Sequence, residues 1–300
     1  PFEYLYEGLP RASGRINNDL MYRHWDHWVD SYSHIFLGEY GADGVSALTD
    51  IMEGEPWDSP LSPFGGMEQI CWSPDGKYIA YTSKKKKGKD YSLSTNSDIY
   101  LYHLPSASTE NLSEGHMGFD MAPVFSPDGK KIAWESIARD GYESDKTRIL
   151  VFDVESGTIT NYSENFDQNA GGLAWSGNNE LFFISPHLGS YEIFSLNLDS
   201  REFRQLTEGI HNYNSIAVAD NKLITTRQSM SMPTEIFAVD AGNGEAEQIT
   251  FINKPHLDQI TMGEVEKRWI KTTDGKDMLT WVIYPPHFDP EKQYPALLYC

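Results

Sequence analysis

One spacing recurs through this chain and restricts its fold more than any other feature. Five strand-like segments, at 34–37, 98–101, 148–151, 192–195 and 235–238, each carry an isoleucine at the second position. A hydroxyl residue stands 14 positions after each isoleucine: Ile35 to Thr49, Ile99 to Ser113, Ile149 to Ser163, Ile193 to Thr207 and Ile236 to Thr250. Successive isoleucines lie 64, 50, 44 and 43 residues apart. A second strand signal precedes four of these units, at 70–77, 124–130, 173–179 and 216–221, and the first two read Ser-Pro-Asp-Gly-Lys. Proline presets the first turn position and glycine tolerates positive φ, so this run is a hairpin turn. Three to four short antiparallel strands per unit of about 45 residues is the pattern of a β-propeller blade. The expected fold is therefore all-β, with five blades in residues 19–250.

The repeat accounts for residues that otherwise invite a functional reading. Asp75 and Asp128 are turn residues of the Ser-Pro-Asp-Gly runs. Asn111 and Asn161 head glycosylation-type triplets, yet they fall at the same blade position as Gln205 and Gln248, which marks them as repeat residues.

After Thr250 the spacing is not met again. Residues 251–263 form a connector punctuated by proline and glycine, and 264–272 and 276–284 flank Thr273-Asp274-Gly275, a hairpin turn. Beyond Pro285-Pro-His-Phe-Asp-Pro290, the run from Tyr294 to Cys300 is continuously apolar, which suits a strand buried on both faces. The expected division is a propeller domain over 1–263 and the start of a second domain over 264–300.

Composition excludes several classes of function. Against 44 Asp and Glu the chain has 24 Lys and Arg, a formal charge of −20, which disfavours nucleic acid and anionic membranes as partners. With 39% hydrophobic and 13% aromatic residues it can build a sizeable core. Two cysteines, Cys71 and Cys300, make no disulfide framework and no Cys-x-x-Cys pair. No apolar run approaches the roughly 18 residues of a membrane span.

The chemistry legible within the 300 residues is sparse: there is no Gly-x-Ser-x-Gly elbow, phosphate loop or His-Glu-x-x-His helix. In Tyr22-Arg-His-Trp-Asp-His-Trp28, alternation along one strand would point His24 and His27 to opposite faces, so a shared metal is not expected. The Lys84–Lys87 run reads as a solvated hairpin loop between strands of one blade. The loop Arg139-Asp-Gly-Tyr-Glu-Ser-Asp145 joins two strands and is longer than the equivalent link at 185–189. A carboxylate there could hold the α-ammonium of a peptide by a charge-assisted hydrogen bond. Glu143 is the first candidate and Asp145 the second, with Tyr142 as an aromatic wall. The competing reading is that these acids solvate the loop or pair with Lys146 and Arg148. No cofactor is expected.

Taken together, five blades, an antiparallel hairpin and a Tyr-Pro-aliphatic run resemble the serine peptidases of the prolyl oligopeptidase family. The local matches are Leu20-Met-Tyr-Arg-His-Trp-Asp26, Ser94-Thr-Asn-Ser-Asp98, Arg139–Asp145, and Pro285-Pro-His-Phe-Asp-Pro290 followed by Tyr294-Pro. Within that family they are most similar to the branch of dipeptidyl peptidase 5 and the acylaminoacyl peptidases. The resemblance implies a propeller of seven or eight blades, so about two blades precede Pro1 in the parent protein. It also implies an α/β-hydrolase domain whose Ser-Asp-His triad lies beyond residue 300, leaving no catalytic residue inside this chain. The implied reaction is acyl transfer, with serine attack, histidine as base and backbone N–H groups holding the oxyanion. An oligopeptide substrate, a homodimer as one option for assembly, and a periplasmic or secreted location follow from the same likeness. The alternative is a TolB-like propeller scaffold that binds another protein, against which residues 264–300 weigh as an appendage a bare propeller does not need.

Overall fold

The structure, a computed structural model, describes residues 13–299 apart from 19 and 47; expectations for 1–12 and for Cys300 lie outside the described residues. Four blades of four strands are seen, each running in sequence order from one edge to the other. They are Ile70–Trp72, Tyr78–Ser83, Asp98–His103 and Ser108–Asn111; Asp120–Phe125, Lys131–Ser136, Arg148–Asp153 and Thr158–Asn161; Gly171–Ser176, Glu180–His187, Ser190–Asn197 and Phe203–Gln205; and Asn212–Ala219, Lys222–Ser229, Met232–Asp240 and Ala246–Gln248. The third and fourth blades share one parallel pairing, Tyr191 with Asn212.

The chain forms two compact units, one reaching to Pro123 and including Ser136–Asp145, the other comprising Val124–Glu135 and everything from Lys146. The first has a core of Ile35, Met52, Ile79, Tyr81, Tyr100 and Tyr102, with the Tyr81 and Tyr100 rings stacked at 5.5 Å. In the second, the run Leu181–Ile184 shows why blade strands are continuously apolar. Leu181 and Phe183 enter one cluster, with Ala133 and Ile149, while Phe182 and Ile184 enter another, with Leu223 and Val239. Alternate side chains leave opposite faces of a strand, and both faces here are packed.

The 14-residue spacing is a hydrogen bond. Ser113 Oγ accepts the N–H of Ile99 (3.0 Å), Ser163 Oγ that of Ile149 (2.8 Å), Thr207 Oγ1 that of Ile193 (2.9 Å) and Thr250 Oγ1 that of Ile236 (2.8 Å). The hydroxyl thereby pins the end of each outer strand to the third strand. Where an acid precedes the isoleucine, the same hydroxyl donates to it: Ser113 to Asp98 (3.3 Å), Thr207 to Glu192 (2.7 Å) and Thr250 to Glu235 (2.5 Å). Asn111 and Asn161 accept the N–H of Ser113 (3.1 Å) and Ser163 (3.0 Å), the repeat role read from the sequence.

The first repeat departs from the others. Its equal spacing from Ile35 to Thr49 does not reproduce the contact, because it is the N–H of Ile51 that bonds Ile35 O (3.1 Å), whereas in the next blade Leu112 N–H bonds Ile99 O (2.8 Å). The connection is three residues longer, and it carries its own hairpin, Tyr40–Gly41 with Gly44–Val45. Among the described residues this repeat is two short ladders, with Phe36–Leu37 paired to Thr49–Asp50, in place of a fifth four-stranded blade.

The Ser-Pro-Asp-Gly turns are built identically. Ser73 Oγ donates to Asp75 Oδ1 (2.7 Å) and accepts the N–H of Lys77 (3.1 Å) and Tyr78 (2.9 Å), while Gly76 sits at φ 70°. In the second, Ser126 Oγ donates to Asp128 Oδ1 (2.7 Å) and accepts Lys131 N–H (2.9 Å), with Gly129 at φ 71°.

Val265–Lys271 pairs antiparallel with Asp277–Ile283 in the register Val265 to Ile283, as the turn at 273–275 requires. The run from Tyr294 is not the doubly buried strand its composition suggests. Residues 294–299 have no strand partner, and Leu297 and Tyr299 are fully exposed at 102% and 99%. An apolar run becomes a strand only where a neighbouring strand takes up its N–H and C=O groups, and none of the described residues does so.

Candidate functional site

The 139–145 loop is held from both ends. Arg139 grips the Asp145 carboxylate with two N–H groups, Nε at 2.7 Å from Oδ2 and Nη2 on Oδ1, and its guanidinium lies 4.0 Å from the centre of the Tyr142 ring. Asp140 ties the loop to the strand entry at 94–97: its Oδ1 accepts the Ser94 hydroxyl (2.8 Å) and Thr95 N–H (2.7 Å), and Gly141 N–H returns a bond to Thr95 Oγ1 (2.8 Å). Against the penalty of partial burial, the Ser94 hydroxyl and the Thr95 and Asn96 N–H groups hold the Asp140 carboxyl below its ordinary value. The two stretches Ser94–Asp98 and Arg139–Asp145, 45 residues apart at Thr95 and Asp140, thus form one structure. Both stretches stand out in the sequence but their joint does not, because a short polar loop carries no periodicity that announces its partner.

The three sequence-derived candidates are placed differently within this loop. Asp145 is paired with Arg139, and the Tyr142 ring, 52% exposed, has that guanidinium on it. Glu143 is exposed, and among the described residues no hydrogen bond or ion pair engages its carboxylate. Of the three, Glu143 is the group left to act on something else.

Beside the loop runs an open groove of about 490 Å³ lined by Lys85, Lys86, Lys87, Leu93, Ser94 and Asp140. Its lysines are not a solvated hairpin. Lys84 Nζ donates to Tyr91 O (2.6 Å) and Ser94 O, closing the end of a helix at Gly88–Leu93, and burial depresses its pKa. Lys85 pairs with Glu55 (2.6 Å) and lies 4.2 Å from the Tyr100 ring centre. The last carbonyls of a helix have no partner within it, and Lys84 supplies one.

The histidine stretch is likewise a hairpin, not one strand. Arg23–His24 pairs with His27–Trp28 across a turn in which Trp25 has φ 48°. His24 is buried and stacked on Tyr91 at 6.1 Å, whereas His27 is exposed beside Asp26 (3.2 Å). Among the described residues no group of three or more His, Cys, Asp or Glu is arranged to hold a metal, and no helix is long and apolar enough to cross a membrane.

Four-stranded blades followed by an antiparallel hairpin define a β-propeller with an attached segment. The fold matches that of Pyrococcus horikoshii acylaminoacyl peptidase at a TM-score of 0.67, over 95% of this chain and 41% of that one, at 17% identity. No family model matches the chain. Curated relatives do: dipeptidyl-peptidase 5 of Porphyromonas gingivalis is 46% identical over 297 residues, covering 99% of this chain and 43% of the relative. That of Porphyromonas endodontalis is 41% identical, over 97% of this chain and 42% of the relative. Along nearly its whole length the chain is thus similar to one part of the dipeptidyl-peptidase 5 proteins, and it shares its fold with an acylaminoacyl peptidase, in line with the resemblance to the prolyl oligopeptidase family read from the sequence. It spans less than half the length of the curated relatives it matches.

Proposed function

We propose that this chain is the propeller portion of a serine exopeptidase that removes dipeptides from the free N-terminus of oligopeptides. Residues 1–263 form the cap that filters substrate, and 264–300 open the hydrolase domain whose Ser-Asp-His triad lies outside these 300 residues. The observation that carries the reading is the match along nearly the whole chain, at 46% identity, to a protein named dipeptidyl-peptidase 5. The four-stranded blades and the 17%-identical propeller of an acylaminoacyl peptidase support the architecture. By the resemblance to the dipeptidyl peptidase 5 branch alone, we also propose that the parent protein acts in the periplasm or is secreted.

In this reading Glu143 receives the substrate α-ammonium. Arg139 positions it by bracing Asp145 and Tyr142 on either side, and Asp140 fixes the loop against 94–97. An anchored chain end at a set distance from the triad makes the enzyme count two residues. Glu143→Gln in the parent protein tests this. The expected result is a loss of kcat/KM of about 1.5–3 kcal/mol for free-amine substrates, the worth of a hydrogen bond to a charged group, with little change for N-blocked ones. Equal small effects on both substrate types would remove Glu143 from the site.

A further inference from the structure

The 139–145 loop rests on two other segments of its own compact unit, 94–97 and 116–120. Its middle is joined to the first, where Asp140 Oδ1 accepts the Ser94 hydroxyl (2.8 Å) and Thr95 N–H (2.7 Å). Its entry is joined to the second. Ile137 N–H donates to Phe119 O at 2.9 Å, and Gly118 lies flat against the same stretch of backbone. A Cβ on Gly118 would stand 1.7 Å from Ile137 O and 2.9 Å from the carbonyl carbon of Ala138, so the contact requires glycine.

Asn96 ties these two supports to each other. Its Nδ2 donates to His116 O at 2.9 Å and to Gly118 O at 3.0 Å, which uses both N–H groups of a carboxamide. Its backbone N–H donates to the Ser94 hydroxyl at 3.1 Å, the same hydroxyl that holds Asp140. One side chain, 7% exposed, thus reaches from the turn beneath the loop's entry to the serine beneath its middle.

Backbone bonds stitch the same two segments independently of that side chain. Ser97 N–H donates to Gly118 O (3.3 Å), Asp120 N–H to Ser97 O (3.2 Å) and Ser97 Oγ to Asp120 O (2.7 Å). Cutting back Asn96 should therefore loosen the loop's seat without unfolding the blade. Glu143 would feel the change, because among the described residues no hydrogen bond or ion pair holds its carboxylate, and its place is inherited from the loop's supports.

We propose that Asn96 is a positioning residue for substrate. By tying 94–97 to 116–120 it sets where the 139–145 loop, and Glu143 with it, meets the N-terminal end of a peptide. The proposal rests on the reading of that loop as the part that holds the α-ammonium. A misplacement of about 1 Å can cost a factor of about 100 in rate. A seat that keeps its backbone bonds should shift less, for a loss of about tenfold.

Asn96→Ala in the parent protein tests this. The expected result is a fall in kcat/KM of about tenfold for free-amine peptides and little change for N-blocked ones, whereas a merely structural role would lower both alike. Hydrogen exchange across 137–141 should quicken, with exchange across 190–197 in another blade unchanged. Thr95→Val removes the Oγ1 that accepts Gly141 N–H at 2.8 Å and should give a smaller loss of the same selective kind. If Asn96→Ala is poorly folded, Thr95→Val decides by the same comparison of substrates. Equal losses for both substrate types, or unchanged exchange across 137–141 in Asn96→Ala, overturn the proposal. Glu143→Gln separates it from the reading it rests on. A selective loss in Asn96→Ala with none in Glu143→Gln removes Glu143 and keeps Asn96, whereas a selective loss in Glu143→Gln alone removes Asn96 and keeps Glu143.

Discussion

Replacing Thr207 by valine keeps the shape of the side chain and removes a hydroxyl that serves two partners. Thr207 Oγ1 accepts the N–H of Ile193 at 2.9 Å and donates to Glu192 Oε2 at 2.7 Å; Thr207 is 6% exposed and Glu192 1%. The first loss leaves a buried N–H unpaired, at about 1–3 kcal/mol, and the second strips a bond from a charged acceptor, at about 1.5–3 kcal/mol. Glu192 has little in reserve, since Oε1 has no partner and His211 Nε2 is 3.6 Å from Oε2. Together these place the cost of Thr207→Val near 3–4 kcal/mol, a large part of the 5–15 kcal/mol that holds an ordinary domain together. Ser163→Ala is the internal comparison. Its hydroxyl accepts Ile149 N–H at 2.8 Å but donates to neutral Asn161 at 3.2 Å, so its loss should cost only about 1.5–2 kcal/mol. Urea unfolding of both variants and of Thr207→Ser, with hydrogen exchange of the Ile193 amide as the local probe, measures the difference. Costs below about 0.5 kcal/mol for Thr207→Val, or equal costs for the two deletions, would refute the view that the repeated hydroxyl clasps strand to acid.

Three further outcomes are expected. The Ser73 hydroxyl, the Lys77 N–H and the Lys77 ammonium hold the Asp75 carboxyl down to about 2, so its NMR titration should have a midpoint near there; its stabilising effect is complete above the ordinary value of 3.8 and lost as pH falls through 2, and a midpoint near 3.8 would contradict the turn geometry. Gly244 has φ +78° and a Cβ there would stand 2.0 Å from Leu206 O, so Gly244→Ala should destabilise by at least the 1–3 kcal/mol of local backbone strain, read as a lowered urea midpoint. Lys84→Met should remove the closure of the Gly88–Leu93 helix and speed amide exchange there, while leaving exchange in Glu180–His187 unchanged.

How much of this was legible in the sequence follows from what kind of interaction makes each part. The blades were, because the hydroxyl at 14 residues and the turn serine each satisfy backbone groups close by in sequence, at Ile99 and Ser113 or at Ser73 and Tyr78. The first repeat misled for the same reason: Thr49 matches the spacing, but the inserted hairpin at 40–45 shifts the pairing to Ile51. His24 and the lysine run were misread because their settings are tertiary; Tyr91 lies 67 positions from His24 in the chain, and the helix it belongs to has only six residues and no hydrophobic period. For 294–299, composition showed what the run can do and not whether a partner strand is there. Of the candidate site, the loop and Glu143 were visible, whereas the clasp of Asp140 on Ser94 and Thr95 was not.

If this propeller serves an enzyme that counts two residues from a free N-terminus, as proposed, mass spectrometry of a decapeptide incubated with the parent protein will reveal it. The expected products are shortened by two residues at a time from the free N-terminus, with none from the acetylated peptide and complete loss after a serine-reactive phosphonate. Release of single residues, cleavage of the acetylated peptide at the same rate, or no cleavage at all would contradict it.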